Sequence, residues 1–380
     1  MPSLPRLGPI ALGFAFWLGA TGIGAEPAPL PAQPAGVAYP TATWPVGALP
    51  AAADTATIEA SAQRLFSFEG RGGLPDTRAL LIIQRGRLVY ERYADGFDAA
   101  SSFRSFSAAK SVTQALLARL VAQGRLEVDQ PAPVPEWQRE NDPRTRITIR
   151  NLLHMDTGLD NADGEIGTDA YIARMIYGEE ARDTAGFAAS ARAIHPPGTH
   201  WAYSTATTQI LSRIIARAVG GARPGMLAFI EAELAAPLGI ESLTFEFDAS
   251  GTPLGGIYAW MTARDWARFG LLYLRDGVWE DRRLLPEGWV DFTRTPGPAA
   301  NNKVYGAHFW LAGEASPDQF AVLPPRIDAF AVTGNGGQYV LMAPDRDLVV
   351  VRLGETLAMD WEDLGGLCSA LIEAFPKVQP

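Results

Sequence analysis

The strand-forming segments of this chain lie near its two ends, and that placement limits the folds open to it. "ALLIIQRGRLVYERY" (79–93) reads as two strands around the turn Arg85-Gly86. Near the other end, "YGAHFWLA" (305–312), "DAFAVTGNGGQYVLMAP" (328–344) and "DLVVVRLGE" (347–355) read as further strands. The stretch between is mostly helical and loop-like. A split α/β domain enclosing an inserted α domain satisfies this order. The expected division is 51–122 with 260–376 for the α/β part and 123–259 for the mainly helical part. A chain of 380 residues has ample core for both.

The helices announce themselves by period and punctuation. An amphipathic helix is expected over Thr55–Phe68. Ser107–Ala122 reads as a helix with Gly124 past its end, and Val112, Leu116 and Leu120 mark its buried face. Segments 146–159, 205–220 and 225–240 are the clearest elements of the middle. "TARDWARFGLLYLRDG" (262–277) begins with a threonine cap and ends at a glycine. A last helix is expected over Trp361–Phe375.

The N-terminus carries Arg6, an apolar run to Ile23 and a small residue at Ala25. This reads as a secretory signal, residues 1–25, with an uncleaved anchor as the alternative. The expected location is secreted, in a bacterial periplasm, with no membrane span once the signal is cleaved. Residues 26–50 are rich in Pro and Ala and read as an extended leader or linker, not a packed element. Cys368 is the only cysteine, so no intrachain disulfide can form. A formal net charge of -10 argues against nucleic acid as a partner.

Lysine is scarce: Lys110, Lys303 and Lys377 are the only three, and arginine supplies the other 29 of 32 basic residues. Lys110 sits three residues after Ser107, so the two side chains share one helix face. Serine needs a partner to take its proton. A buried lysine amine can lose its charge and serve as that base, whereas a guanidinium cannot. The same residues also suit a capping serine and a solvated lysine.

"SFSAAKSVTQALL" followed by "ITIRNLLHMDTGLD" resembles the serine β-lactamase and penicillin-binding-protein superfamily. The closest likeness is to its class C-like branch of esterases, D-aminopeptidases and 6-aminohexanoate-dimer hydrolases. The pattern continues through residues 196–220, 229–240, 255–277 and 332–355, and the likeness spans roughly 50–375. It implies an antiparallel sheet flanked by helices with an inserted helical domain. It implies Ser107 as the acylated nucleophile, Lys110 as its base partner and Tyr203 as a proton relay, a tyrosinate beside an ammonium. The backbone N–H groups of Ser107 and Asn335 would form the oxyanion hole. No cofactor or metal is implied. The substrate would be a small ester, amide or short peptide.

Two departures matter. The family's Tyr-x-Asn element reads Tyr203-Ser204-Thr205, and the strand motif at Thr333-Gly334-Asn335 lacks a cation. β-Lactamases use that cation to hold a substrate carboxylate, so an ester or amide substrate lacking that carboxylate is favoured over penicillins. A penicillin-recognising D-amino acid peptidase or β-lactamase is the alternative enzyme, and a non-catalytic binding member of the fold is the alternative outside enzymes. Arg326 is expected as a surface charge. His154 is expected to pack beneath the site. The acidic loop 160–171 is expected at the substrate rim, since it lacks calcium-ligand spacing. None of the four histidines forms a zinc motif.

Overall fold

The computed structural model describes residues 29–34, 36–69, 75–163, 170–221, 223–300, 304–313, 323–356 and 359–378. The expected signal segment lies outside these residues. The chain opens with α1 (Thr55–Leu65), then β1 (Thr77–Gln84), β2 (Arg87–Tyr93) and β3 (Ser102–Arg104). A 3₁₀ turn at Phe106–Ala108 leads into α2 (Ala109–Ala122). The middle holds α3 (Ile149–His154), α4 (Tyr171–Tyr177), α5 (Thr184–Ala189), α6 (Thr205–Ala218) and α7 (Arg223–Ile230). A π-helical turn joins α7 to α8 (Ala236–Leu238). Then come β4 (Thr244–Phe245), β5 (Ala259–Thr262), α9 (Ala263–Leu274), β6 (Val278–Trp279), β7 (Arg282–Arg283) and α10 (Trp289–Arg294). β8 (Trp310–Leu311), β9 (Phe330–Gly334), β10 (Gln338–Ala343), β11 (Leu348–Gly354) and α11 (Trp361–Glu373) complete the chain.

Strands from both ends share one antiparallel sheet, in the order β2-β1-β11-β10-β9-β8. β1 and β2 join through Arg85 and Gly86, both at positive φ, as a two-residue hairpin turn requires. The central strands are apolar on both faces because both faces are covered. Leu81, Ile83, Val340 and Val349 join one core with α2 and α9. Leu80, Ile82, Leu341 and Val350 join a second with α1 and α11. Gly270 lets α9 lie close on the sheet, since a Cβ there would stand 2.7 Å from Val340.

Two expectations need correction. The leader is extended but packed: Leu88 N–H donates to Pro45 O, and Gly47 N–H donates to Leu88 O. Its proline carbonyls and aromatic rings find partners along β2 and α9, including Pro40 O with Arg268. The other concerns α2, which is buried on nearly every side rather than along one face. It packs against α6 and the π-helical turn after α7, and its polar residues survive burial because each is bonded. Ser111 donates to His308 O, Thr113 to Gly255 O and Gln114 to Thr293 Oγ1.

Candidate functional site

The site forms where α2 begins. Phe106 adopts φ 45°, an uncommon conformation for a bulky residue, and this tight turn delivers Ser107 to the helix start. Ser107 is only partly buried. One helical turn on, Lys110 is fully buried, with Nζ 3.1 Å from Ser107 Oγ. The i,i+3 geometry read from sequence is therefore present.

Lys110 Nζ also lies 2.9 Å from Thr205 Oγ1 and donates to Gly256 O at 2.7 Å. It stands 4.9 Å from the centre of the Tyr203 ring. Burial pulls the ammonium down to about 8 from its ordinary 10.5, and the Asp163 charge opposes that fall. Gly256 must be glycine, because a Cβ would meet Thr205 at 2.9 Å.

Tyr203 reaches the site from the segment before α6. Tyr305 meets it edge-on at 5.7 Å, and Trp310 lies 5.6 Å away. Burial and then the Asp163 charge push the phenol well above its ordinary value, while the Ser107 hydroxyl beside it pulls the other way. At neutral pH this favours the phenol, not the tyrosinate the family pattern implies. The physical reason is a low-dielectric site already holding one carboxylate.

Sequence reasoning missed that carboxylate. Thr205 N–H donates to Asp163 Oδ1 at 2.6 Å, and Thr205 Oγ1 to Oδ2 at 2.7 Å. Thr205 thus bridges Asp163 to Lys110 where the family has asparagine. Burial holds Asp163 above the usual carboxylate range, and Lys110 with the two Thr205 bonds offsets only part of that rise. Asp163 sits in the acidic loop expected at the rim, whose residues 164–169 lie outside the described set. Nothing in the spacing of that loop marks Asp163 as the one that turns inward.

β9 brings the backbone of the strand motif to the serine turn. A Cβ on Gly334 would stand 2.0 Å from Ser105 O and 3.2 Å from Ala108 N. Asn335 follows at the exposed end of β9, and its Oδ1 accepts Gly336 N–H at 3.0 Å. The turn is tied from below by the fully buried Arg352. Its Nη1 donates to Gly336 O and Gly337 O, each at 2.9 Å. Its Nη2 donates to Asp76 O at 2.7 Å and its Nε to Thr77 Oγ1 at 3.0 Å.

The remaining candidates fall outside this cluster. Arg326 lies on the surface, paired with Glu373 at 2.8 Å. His154 is buried against Phe292, and burial pulls it down to about 3. His308 bridges Thr208 Oγ1 at 3.0 Å and Leu153 O at 2.8 Å, and burial holds it near 3 as well. Both imidazoles are neutral struts. Among the described residues, no group of three or more His, Cys, Asp or Glu could hold a metal ion, and no helix is long and apolar enough to cross a membrane.

A family model described as Beta-lactamase matches residues 71–363. A 6-aminohexanoate-dimer hydrolase from Paenarthrobacter ureafaciens is 25% identical over 340 residues, covering 83% of this chain and 82% of that protein. Among solved structures, EstCE1, a hydrolase with promiscuous acyltransferase activity, superposes with a TM-score of 0.63 at 18% identity, covering 83% of this chain and 97% of the other. A penicillin-binding protein homolog from Caulobacter crescentus gives 0.59 at 17% identity, covering 87% and 99%. The two structural likenesses establish the fold.

Proposed function

Since the chain belongs to the Beta-lactamase family, we propose that it is a serine hydrolase acting on a small ester or amide through an acyl-enzyme on Ser107. One observation carries this reading. A fully buried lysine, with no direct ion-pair partner among the described residues, sits 3.1 Å from the hydroxyl of the partly buried Ser107.

In acylation, Ser107 Oγ attacks the substrate carbonyl and its proton passes to neutral Lys110 Nζ. The negative charge that develops on the carbonyl oxygen is held by the N–H groups of Ser107 and Asn335. Collapse breaks the bond to the leaving group. The Tyr203 phenol protonates that group and recovers its proton from Lys110. Water then attacks the acyl-enzyme by the reverse sequence, releasing the acid and restoring Ser107. Thr205 and Asp163 hold Lys110 in place. Asp163 is a positioning residue, since it reaches Lys110 only through Thr205.

The absence of a cation at Thr333-Gly334-Asn335 favours substrates other than penicillins. The relative named for 6-aminohexanoate-dimer hydrolysis is consistent with a short linear amide. The test is p-nitrophenyl butyrate hydrolysis by wild type beside Ser107→Ala. Turnover by wild type alone is expected. Equal turnover by both proteins overturns the assignment of the nucleophile.

A further inference from the structure

Three residues before Ser107, on β3, Arg104 is exposed and surrounded by aromatic rings. Its guanidinium carbon stands 5.4 Å from the Phe106 ring centre, 5.1 Å from Tyr258 and 5.3 Å from Trp260. Among the described residues it has no ion-pair partner. It borders a cavity of about 200 Å³ whose wall includes Arg78, Phe97, Phe103, Phe106 and Trp260. Glu355 also faces this space, but Arg78 neutralises it at 3.2 Å. Phe97 and Phe103 stack at 5.9 Å and give the wall an apolar part. Arg104 is thus a cation without a salt bridge in a chain of net charge -10, and Glu246, which accepts from Trp260 Nε1 at 3.1 Å, is a second carboxylate beside these rings.

Three residues of chain span at most about 11 Å between Cα atoms, and Phe106, the residue next to Ser107, lines the same cavity as Arg104. The rings hold its planar fork in one orientation, which lowers the entropy lost when it binds a carboxylate bidentately. We propose that this cavity is a subsite for a carboxylate carried by the substrate, with Arg104 as its anion-binding group. The inference rests on the hydrolase reading and narrows its substrates. They are esters or amides with an acid group a short apolar spacer away from the scissile carbonyl. The acid anchor thus enters from β3, not from the strand motif at Thr333.

Mono-p-nitrophenyl adipate and its methyl ester differ by that charge and one methyl group, so their ratio of kcat/KM, compared between wild type and Arg104 variants, reports on the subsite. Wild type is expected to favour the free acid at least 10-fold, chiefly through KM. Arg104→Gln is expected to erase the preference, and Arg104→Lys to keep part of it. Arg326→Gln, a surface change, is expected to leave the ratio unaltered. An unchanged ratio in Arg104→Gln, or wild type preferring the methyl ester, overturns the proposal. Failure of the hydrolase reading looks different: neither ester is cleaved in a Ser107-dependent way. Adipate binding to Ser107→Ala, followed by tryptophan fluorescence, then decides the subsite by itself. Binding lost in the Ser107→Ala/Arg104→Gln double variant supports it, and no binding to either protein overturns it.

Discussion

Asp163→Asn should move the pH dependence of the reaction toward acid. In the proposed mechanism the rate follows the neutral fraction of Lys110. With the amine at about 8, roughly one molecule in ten is competent at pH 7, against about one in 2,500 for an unperturbed lysine. Activity should therefore rise with pH and level off above about 8. Asp163 opposes this depression through Thr205. Hydrogen bonds of 2.9 and 2.7 Å laid end to end keep its carboxylate within about 5.6 Å of Nζ. At that distance an effective dielectric of roughly 20–60 gives about 1–3 kcal/mol of attraction. Removing the charge should lower Lys110 by about 1–2 units, to roughly 6–7. Asparagine preserves the shape and can still accept from Thr205. The assay is kcat/KM for p-nitrophenyl butyrate from pH 5 to 10, corrected for background hydrolysis. The acid limb should shift down by about 1–2 pH units. The alkaline plateau should fall because a less basic amine is a weaker proton acceptor. Asp160→Asn, on the surface beside Arg192 at 3.4 Å, should leave the limb in place. A limb that stays at 8 in Asp163→Asn, or moves upward, refutes the coupling.

Lys110→Arg should be inactive by at least about 1,000-fold despite keeping its charge, because a guanidinium does not give up its proton. Full activity in that variant, measured on the same ester, excludes Lys110 as the base. The depressed amine also has a stability consequence. The folded state holds Lys110 at about 8 and the unfolded chain holds it near 10.4, so between those values the unfolded state binds more protons. Stability of wild type relative to Lys110→Met should rise by about 3 kcal/mol from pH 7.5 to 10.5, as read by urea denaturation at each pH. Arg352→Met should leave buried carbonyls of the 336–337 turn unpaired, at a cost on the order of 3 kcal/mol. If this turn positions the oxyanion donor, kcat should fall more than KM changes. Gly334→Ala should abolish activity even where the protein folds, since its Cβ cannot fit 2.0 Å from Ser105 O. Normal turnover by that variant would contradict the close approach of β9 to the serine turn.

Local geometry was legible in the sequence because it depends on near neighbours. The hairpin at Arg85-Gly86, the Thr262 cap of α9 and the Ser107–Lys110 pair each lie within a few residues of chain. Backbone dihedrals alone put positions i and i+3 together, so that pair needed no knowledge of the rest of the fold. The meeting of the two chain ends in one sheet was legible as well, since apolar strands must bury both faces somewhere.

The chemistry of that pair was settled at longer range. The Lys110 amine is depressed because Thr205, 95 residues away, and Gly256, 146 residues away, help enclose it out of water. Asp163 enters through Thr205, and Arg352 ties down the Asn335 turn from another strand. The all-round burial of α2 and the packed leader have the same origin, in partners the local pattern does not name. A residue's type and spacing fix what it can reach along its own helix. Desolvation and distant charges fix its protonation, and those come into being only when the chain closes around it.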